Sequence, residues 1–307
     1  MILFQQMLVM FIYMLLGYCS CKKHFLDEQA GSRLSWIVVN IANPAMVLSS
    51  AVNSEGTIEG NELATTAILA VVMYAALILL AEILPRVIRV SQKQRNLYQV
   101  MTVFNNIGFM GFPLIAATFG SGALLYAAVF SMVFNILLYT YGIQKFQGKN
   151  EAGNGFQIKK IFNVGVLSCI IATALYLSKF PVPQVLKSVS LGLSNLTGPL
   201  SMIVIGISLA GMKMKELFGD RRLLVYTVLK LLLVPVIGTM IITNIISNQL
   251  LCEVCMIMLA TPAASMTVML AKQYSDSAEI ADLAAKGVAL TTLLSVVTIP
   301  IVSLIVF

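Results

Sequence analysis

The sequence predicts an all-α membrane protein of ten transmembrane helices, arranged as two inverted five-helix repeats whose fourth and ninth helices are broken. Three observations carry that prediction. The 307 residues are 59% hydrophobic and 11% charged, with a mean hydropathy of +0.91. Basic residues cluster in alternate loops. Two apolar segments long enough to span a bilayer are each interrupted by a polar, glycine and proline cluster, one in each half of the chain.

A helix needs about 20 apolar residues to cross roughly 30 Å of hydrocarbon. Windows of that length place spans at Ile2–Ser20, Ser35–Val52, Leu63–Leu84, Leu97–Thr118 and Ala123–Ile143 in the first half. The second half repeats the count with Ile158–Leu177, Val185–Ala210, Leu223–Ile246, Leu250–Ala271 and Leu283–Val306. No polar stretch is long enough for a separate soluble domain. The first span lacks a basic leader and a small-x-small cleavage site, and Lys22-Lys23 follows it as an anchor, so it reads as a retained helix.

The net charge of +7 does not point to nucleic acid, because the basic residues lie in short loops rather than on a polar face. Lys22, Lys23 and Arg33 follow the first span, and Arg86, Arg89, Lys93 and Arg95 the third. Lys145, Lys149, Lys159 and Lys160 follow the fifth, and Lys213, Lys215, Arg221 and Arg222 the seventh. The intervening loops carry only Lys179 and Lys187, with an acidic run of Glu55, Glu59 and Glu62 after the second span. Basic loops stay in the cytoplasm, which places both termini outside.

The polar linker near residue 150 divides the chain into a first repeat (1–143), a cytoplasmic linker (144–157) and a second repeat (158–307). An odd number of spans per half inverts the second half. Proline landmarks recur at matching positions: Asn43-Pro44 in the second span and Thr197-Gly198-Pro199 in the seventh, then Pro113 in the fourth and Pro262 in the ninth. The two breaks read Phe104-Asn105-Asn106-Ile107-Gly108-Phe109-Met110-Gly111-Phe112-Pro113 and Ala260-Thr261-Pro262-Ala263-Ala264-Ser265. Breaking a helix in hydrocarbon strands backbone polar groups that protein, water or a solute must satisfy, and paired breaks in corresponding spans mark a transporter's binding site. Pro113 and Pro262 suit the first turn of a new half-helix. Its amides and positive dipole end would favour an anion, and the carbonyls ending the preceding half a cation or proton donor. Ordinary proline kinks with glycine packing are the alternative for either break alone.

Asn105 and Asn106 both donate and accept hydrogen bonds without charge, which suits a carboxylate that must be released; at least one is expected to face it. Thr261, Ser265 and Thr267 add hydroxyls at the second break and Asn43 an amide from the second span, with interhelical packing as the competing role. Gly108 and Gly111 allow close approach or a small rearrangement. Lys230 is the ionisable residue clearly inside a span, a default functional candidate. It is expected either to bind an anion or respond to protonation, or to snorkel toward Arg221 and Arg222. Five cysteines form no complete metal set: Cys19 and Cys21 near His24, and Cys252 and Cys255, each lack ligands for zinc.

The chain resembles the auxin efflux carrier family, which includes plant PIN proteins and bacterial permeases of the malate or malonate type. The pattern N-x-x-x-M-G-x-P-L appears as Asn106, Met110, Gly111, Pro113 and Leu114. A proline with small residues and A-K-x-Y appears as Pro262, Ala263, Ala264, Ala271, Lys272 and Tyr274, and a closing T-x-x-S-x-x-T-x-P as Thr292, Ser295, Thr298 and Pro300. The resemblance implies that the fourth and ninth helices cross near the bilayer midplane. It also implies a scaffold from helices 1, 2, 6 and 7, a transport bundle from helices 3–5 and 8–10, and a homodimer. By carry-over Asn106 contacts substrate and Pro113 and Pro262 form the crossover. The long central loop of the large plant carriers is absent, so a small carboxylate is expected rather than auxin.

The expected function is therefore alternating-access transport of a small organic anion in a bacterial cytoplasmic membrane. No cofactor or nucleic acid is called for, and coupling to H+ or Na+ is left open. An ion-coupled carrier of the bile-acid-symporter kind on the same architecture is the alternative. A receptor without transport shares the motifs. An intramembrane enzyme is disfavoured because the one histidine, His24, lies in a loop and no aspartate lies within a span.

Overall fold

The computed structural model describes residues 2–53, 60–146, 163–275 and 277–307. Most of the linker, the start of the sixth expected span, and Glu55, Glu59, Lys149, Lys159 and Lys160 lie outside those residues. The regular elements among the described residues are all helices. Its elements are α1 (Ile2–Lys22), α2 (Glu28–Val52), α3 (Gly60–Val87), α4 (Gln92–Val103), α5 (Ile107–Phe119), α6 (Ser121–Phe146) and α7 (Val164–Ser178). Then follow α8 (Gln184–Ala210), the short α9 (Met214–Leu217), α10 (Arg221–Ile245), α11 (Gln249–Ala260), α12 (Met266–Tyr274) and α13 (Ala278–Val306).

Seven of these are long and apolar enough to cross a membrane: α1, α2, α3, α6, α8, α10 and α13. The expected fourth span is instead the pair α4 and α5, and the expected ninth the pair α11 and α12, each pair joined by extended backbone.

Prolines shape several helices without ending them. Pro44, Pro113 and Pro235 each sit in the first α-helical turn after a π-helical turn, at Val38–Ala42, Ile107–Gly111 and Leu229–Leu233. A proline ring lacks the amide hydrogen and collides with the carbonyl four residues back; widening the preceding turn relieves both faults while keeping the helix running. Pro199, the counterpart of Pro44, is accommodated by a tight turn at Leu196, whose amide bonds Leu193 O at 3.2 Å.

The packing divides into matched sets. Helix α1 lies along α8, and α7 along α2. In the same way α3 packs on α4 and α6, while α10 packs on α11 and α13; α4 meets α13, and α11 meets α6. Glycines permit the closest of these contacts. A Cβ at Gly17 would lie 2.2 Å from Ile203 O, and one at Gly206 would lie 2.0 Å from Met14 O, so α1 and α8 touch backbone to backbone.

Polar clasps hold α3 to its neighbours at both ends. The Tyr126 hydroxyl donates to Glu62 at 2.9 Å, and Asn248 Nδ2 donates to Glu62 at 3.2 Å, joining the starts of α3, α6 and α11. At the other end Lys145 pairs with Glu82 at 2.9 Å, and Arg86 with Glu82 at 3.1 Å.

The α1–α8 contact yields a direct prediction. Gly17→Ala and Gly206→Ala are each expected to destabilise the protein by about 1–3 kcal/mol through overpacking against backbone. Gly122→Ala, with nothing within 4 Å of its added carbon, is the neutral comparison. Thermal unfolding of the purified protein in detergent measures all three.

Candidate functional site

Helix α4 ends at Val103 because Phe104 turns to extended backbone, with φ −100° and ψ 108°. Helix α11 ends likewise at Thr261, with φ −64° and ψ 149°. The two extended links lie side by side as an antiparallel bridge between Asn105 and Ala263. The Asn106 amide donates to Pro262 O at 2.7 Å, and the Ala264 amide donates to Phe104 O at 2.9 Å. Each break thus supplies the hydrogen bonds that the other lost. A third helix contributes: the Ala263 amide donates to Thr291 Oγ1 of α13 at 3.2 Å.

The carbonyls that end α4 and α11 are capped by side chains. Asn105 Nδ2 donates to Met258 O at 2.6 Å, with Leu259 O at 3.5 Å. Its oxygen accepts from the Lys230 ammonium, which also donates to Thr102 O at 3.4 Å. A chain therefore runs from the end of α4 through Lys230 and Asn105 to the end of α11. Lys230 and Asn105 are each 2% exposed. A cation at the C-terminus of α4 meets the negative pole of that helix.

Four expectations change in detail. Lys230 does not snorkel; its ammonium is held inward by Asn105 and Thr102. Pro113 does not open its half-helix, because α5 begins at Ile107, with Asn106 as its cap. Pro262 does not begin a helix either: its carbonyl serves the bridge, and α12 starts at Met266. Thr261 turns its hydroxyl to Met258 O at 3.1 Å, leaving its methyl group near Gly111.

Asn106 differs from its neighbour. Its oxygen accepts weakly from the Phe109 amide at 3.4 Å, while its Nδ2 is buried and has no hydrogen-bond partner. Asn43 lies against the same helix: a Cβ at Gly108 would stand 3.3 Å from Asn43 Nδ2, and Asn43 Oδ1 is also unpartnered. On the α8 side a Cβ at Gly198 would stand 3.5 Å from Pro113 Cβ, and the buried hydroxyls of Thr197 and Ser201, on either side of Gly198 in sequence, have no partners. The residues that α2, α5 and α8 bring to their meeting thus include an unpaired amide donor at the cap of α5, an unpaired amide acceptor on α2 and two unpaired hydroxyls on α8. Buried polar groups are ordinarily hydrogen-bonded, so this concentration is a candidate ligand surface.

Ser265 is half-buried, and Thr267 is buried with an unpartnered hydroxyl on α12. A cavity of about 310 Å³ opens farther along α12, between Leu270, Tyr274 and the end of α6. None of the expected site residues lines it. Met110 meets Ser295 Oγ at 3.5 Å, which joins the first motif to the closing motif on α13. The sequence reading did not single out Thr291, Thr102, Thr197 or Ser201. Thr291 acts from distant α13 and Thr102 through its main-chain carbonyl, which no side-chain pattern marks, but Thr197 and Ser201 stand a turn apart around Gly198-Pro199 and carry the signal of a polar helix face.

This is a multi-pass helical membrane protein with a polar seam at the meeting of two broken helices. It belongs to the membrane transport protein family, the auxin efflux carrier family, whose model matches residues 2–303. It is similar to an uncharacterized transporter of Methanothermobacter thermautotrophicus, 22% identical over 98% of this chain and 97% of that one. An uncharacterized transporter of Methanocaldococcus jannaschii is 25% identical, covering 95% of each chain.

The two asparagines should separate by stability. Asn105→Ala removes a cap on Met258 O and one of the two oxygens that hold the buried Lys230 side chain, and should cost about 1.5–3 kcal/mol. Asn106→Ala removes one weak cap, at about 1 kcal/mol or less. Melting temperatures of the two variants, compared in one detergent, check the order.

Proposed function

We propose that this protein is a secondary transporter of a small organic anion, a carboxylate, which binds at the seam between α5 and the α2–α8 pair. The observation that carries the reading is the buried, unpartnered Asn106 Nδ2. It is a neutral donor beside an asparagine whose own side chain is fully engaged by protein. Hydroxyls at Thr197 and Ser201 supply further donors, and Asn43 closes the site from α2. The Lys230 ammonium, one side chain away through Asn105, adds positive potential without contacting the solute. Asn105 is then a positioning residue.

The architecture in this proposal is ten helices in two inverted repeats, whose broken fourth and ninth members cross. The matched packing supports it, since exchanging each span for the one five places later turns α1 on α8 into α7 on α2, and α4 on α13 into α11 on α6. The pairs α1–α2 and α7–α8 form the scaffold, and α3–α6 with α10–α13 form the moving bundle. The clasps around Glu62 and Glu82 tie α3 to α6 and α11, which suits a bundle that moves as one body. In this reading the basic loops are cytoplasmic, both termini lie outside, the membrane is a bacterial inner membrane and the protein is a homodimer.

Proteoliposome uptake with labelled mono- and dicarboxylates tests the reading. Saturable uptake of at least one small carboxylate is expected, falling at least tenfold in Asn106→Ala, a loss of about 1.4 kcal/mol in transition-state stabilisation. Uptake of no carboxylate, or uptake indifferent to Asn106→Ala, would overturn it.

A further inference from the structure

Among the described residues no carboxylate pairs with the Lys230 side chain, which is 2% exposed inside the bundle. The ion pairs of acidic groups among those residues lie elsewhere: Glu82 with Arg86 and Lys145, Glu216 with Lys213 and Lys286, and Asp282 with Lys286. Glu253, on the neighbouring α11, bonds Gln249 at 2.9 Å. What surrounds the ammonium is neutral oxygen: a main-chain carbonyl at the end of α4 and the amide oxygen of Asn105. Uncharged oxygens at the negative end of a helix are the donor type that holds a small hard monovalent cation. An ammonium is a compact point charge of similar hydrogen-bonding reach.

We propose that the Lys230 ammonium is a tethered monovalent cation that fills a cation seat at the paired breaks, so that the protein needs no soluble Na+ there. Removing the side chain should turn the seat into a site for a free monovalent cation, Na+ or ammonium. The proposal deepens the transporter reading by addressing its coupling ion, yet it stands on the seat's geometry and is tested without any carboxylate.

The experiment is thermal unfolding of the purified full chain at constant ionic strength in N-methylglucamine chloride, with stepwise replacement by sodium, potassium, ammonium or methylammonium chloride. The wild type should melt at the same temperature in all of them. Lys230→Ala should melt lower in N-methylglucamine and regain most of the loss, saturably, with ammonium or sodium. Lys230→Met, which fills the space with apolar atoms, should stay low in every salt. Saturable stabilisation of the wild type by sodium would overturn the proposal. So would a Lys230→Ala protein that responds to none of the cations, or that cannot be recovered in any of them; recovery only when ammonium or sodium is present supports it. Because chloride is constant and no carboxylate is added, failure here leaves the carboxylate reading to its own uptake test.

Discussion

Two helices stop in the middle of an apolar protein, and the rest of the site follows from how their severed hydrogen bonds are satisfied. Each unsatisfied amide or carbonyl in hydrocarbon costs several kcal/mol, so such breaks persist only where partners are built in. Here the breaks answer each other. The Asn106 amide takes Pro262 O, the Ala264 amide takes Phe104 O, and Thr291 reaches across from α13. The carbonyl ends, which need donors, receive Asn105 and Lys230. With those partners in place, the Asn106 Nδ2 donor at the first break and the Thr267 hydroxyl beyond the second are left over.

That division of labour connects folding to function. Groups that fix the breaks are spent within the protein, so a solute cannot compete for them without unfolding the site. The Asn106 side-chain Nδ2 and the hydroxyls of Thr197 and Ser201 remain unspent, on elements that meet where α5 packs on α2 and α8. In the proposed transport cycle a ligand held there would touch both the scaffold and the moving bundle. It could therefore shift their relative position only by as much as its contacts differ between the two arrangements.

Much of this was legible in the chain. The breaks stand out as polar clusters within apolar segments, and both were located to within a turn. Their internal detail was not legible, because it is set by partners far away in sequence. Proline announces a missing donor, but whether it opens a helix, as expected for Pro113 and Pro262, depends on which residue ends the preceding one. Asn106 took that role through its bond to Pro262 O, moving the start of α5 back to Ile107. Asn105 and Asn106 are chemically identical neighbours, and only the position of α11 and Lys230 tells them apart. Lys230 itself could have reached the surface; the uncapped end of α4 draws it inward.

The most direct test of the account is side-specific labelling of Asn106→Cys in a background where Cys19, Cys21, Cys169, Cys252 and Cys255 are replaced, using membrane-impermeant thiol reagents on oriented vesicles. A residue at the seam between two moving bodies should react from either face of the membrane, and more slowly when a transported carboxylate is present. Reaction from one face only, or from neither, would contradict alternating access at this break.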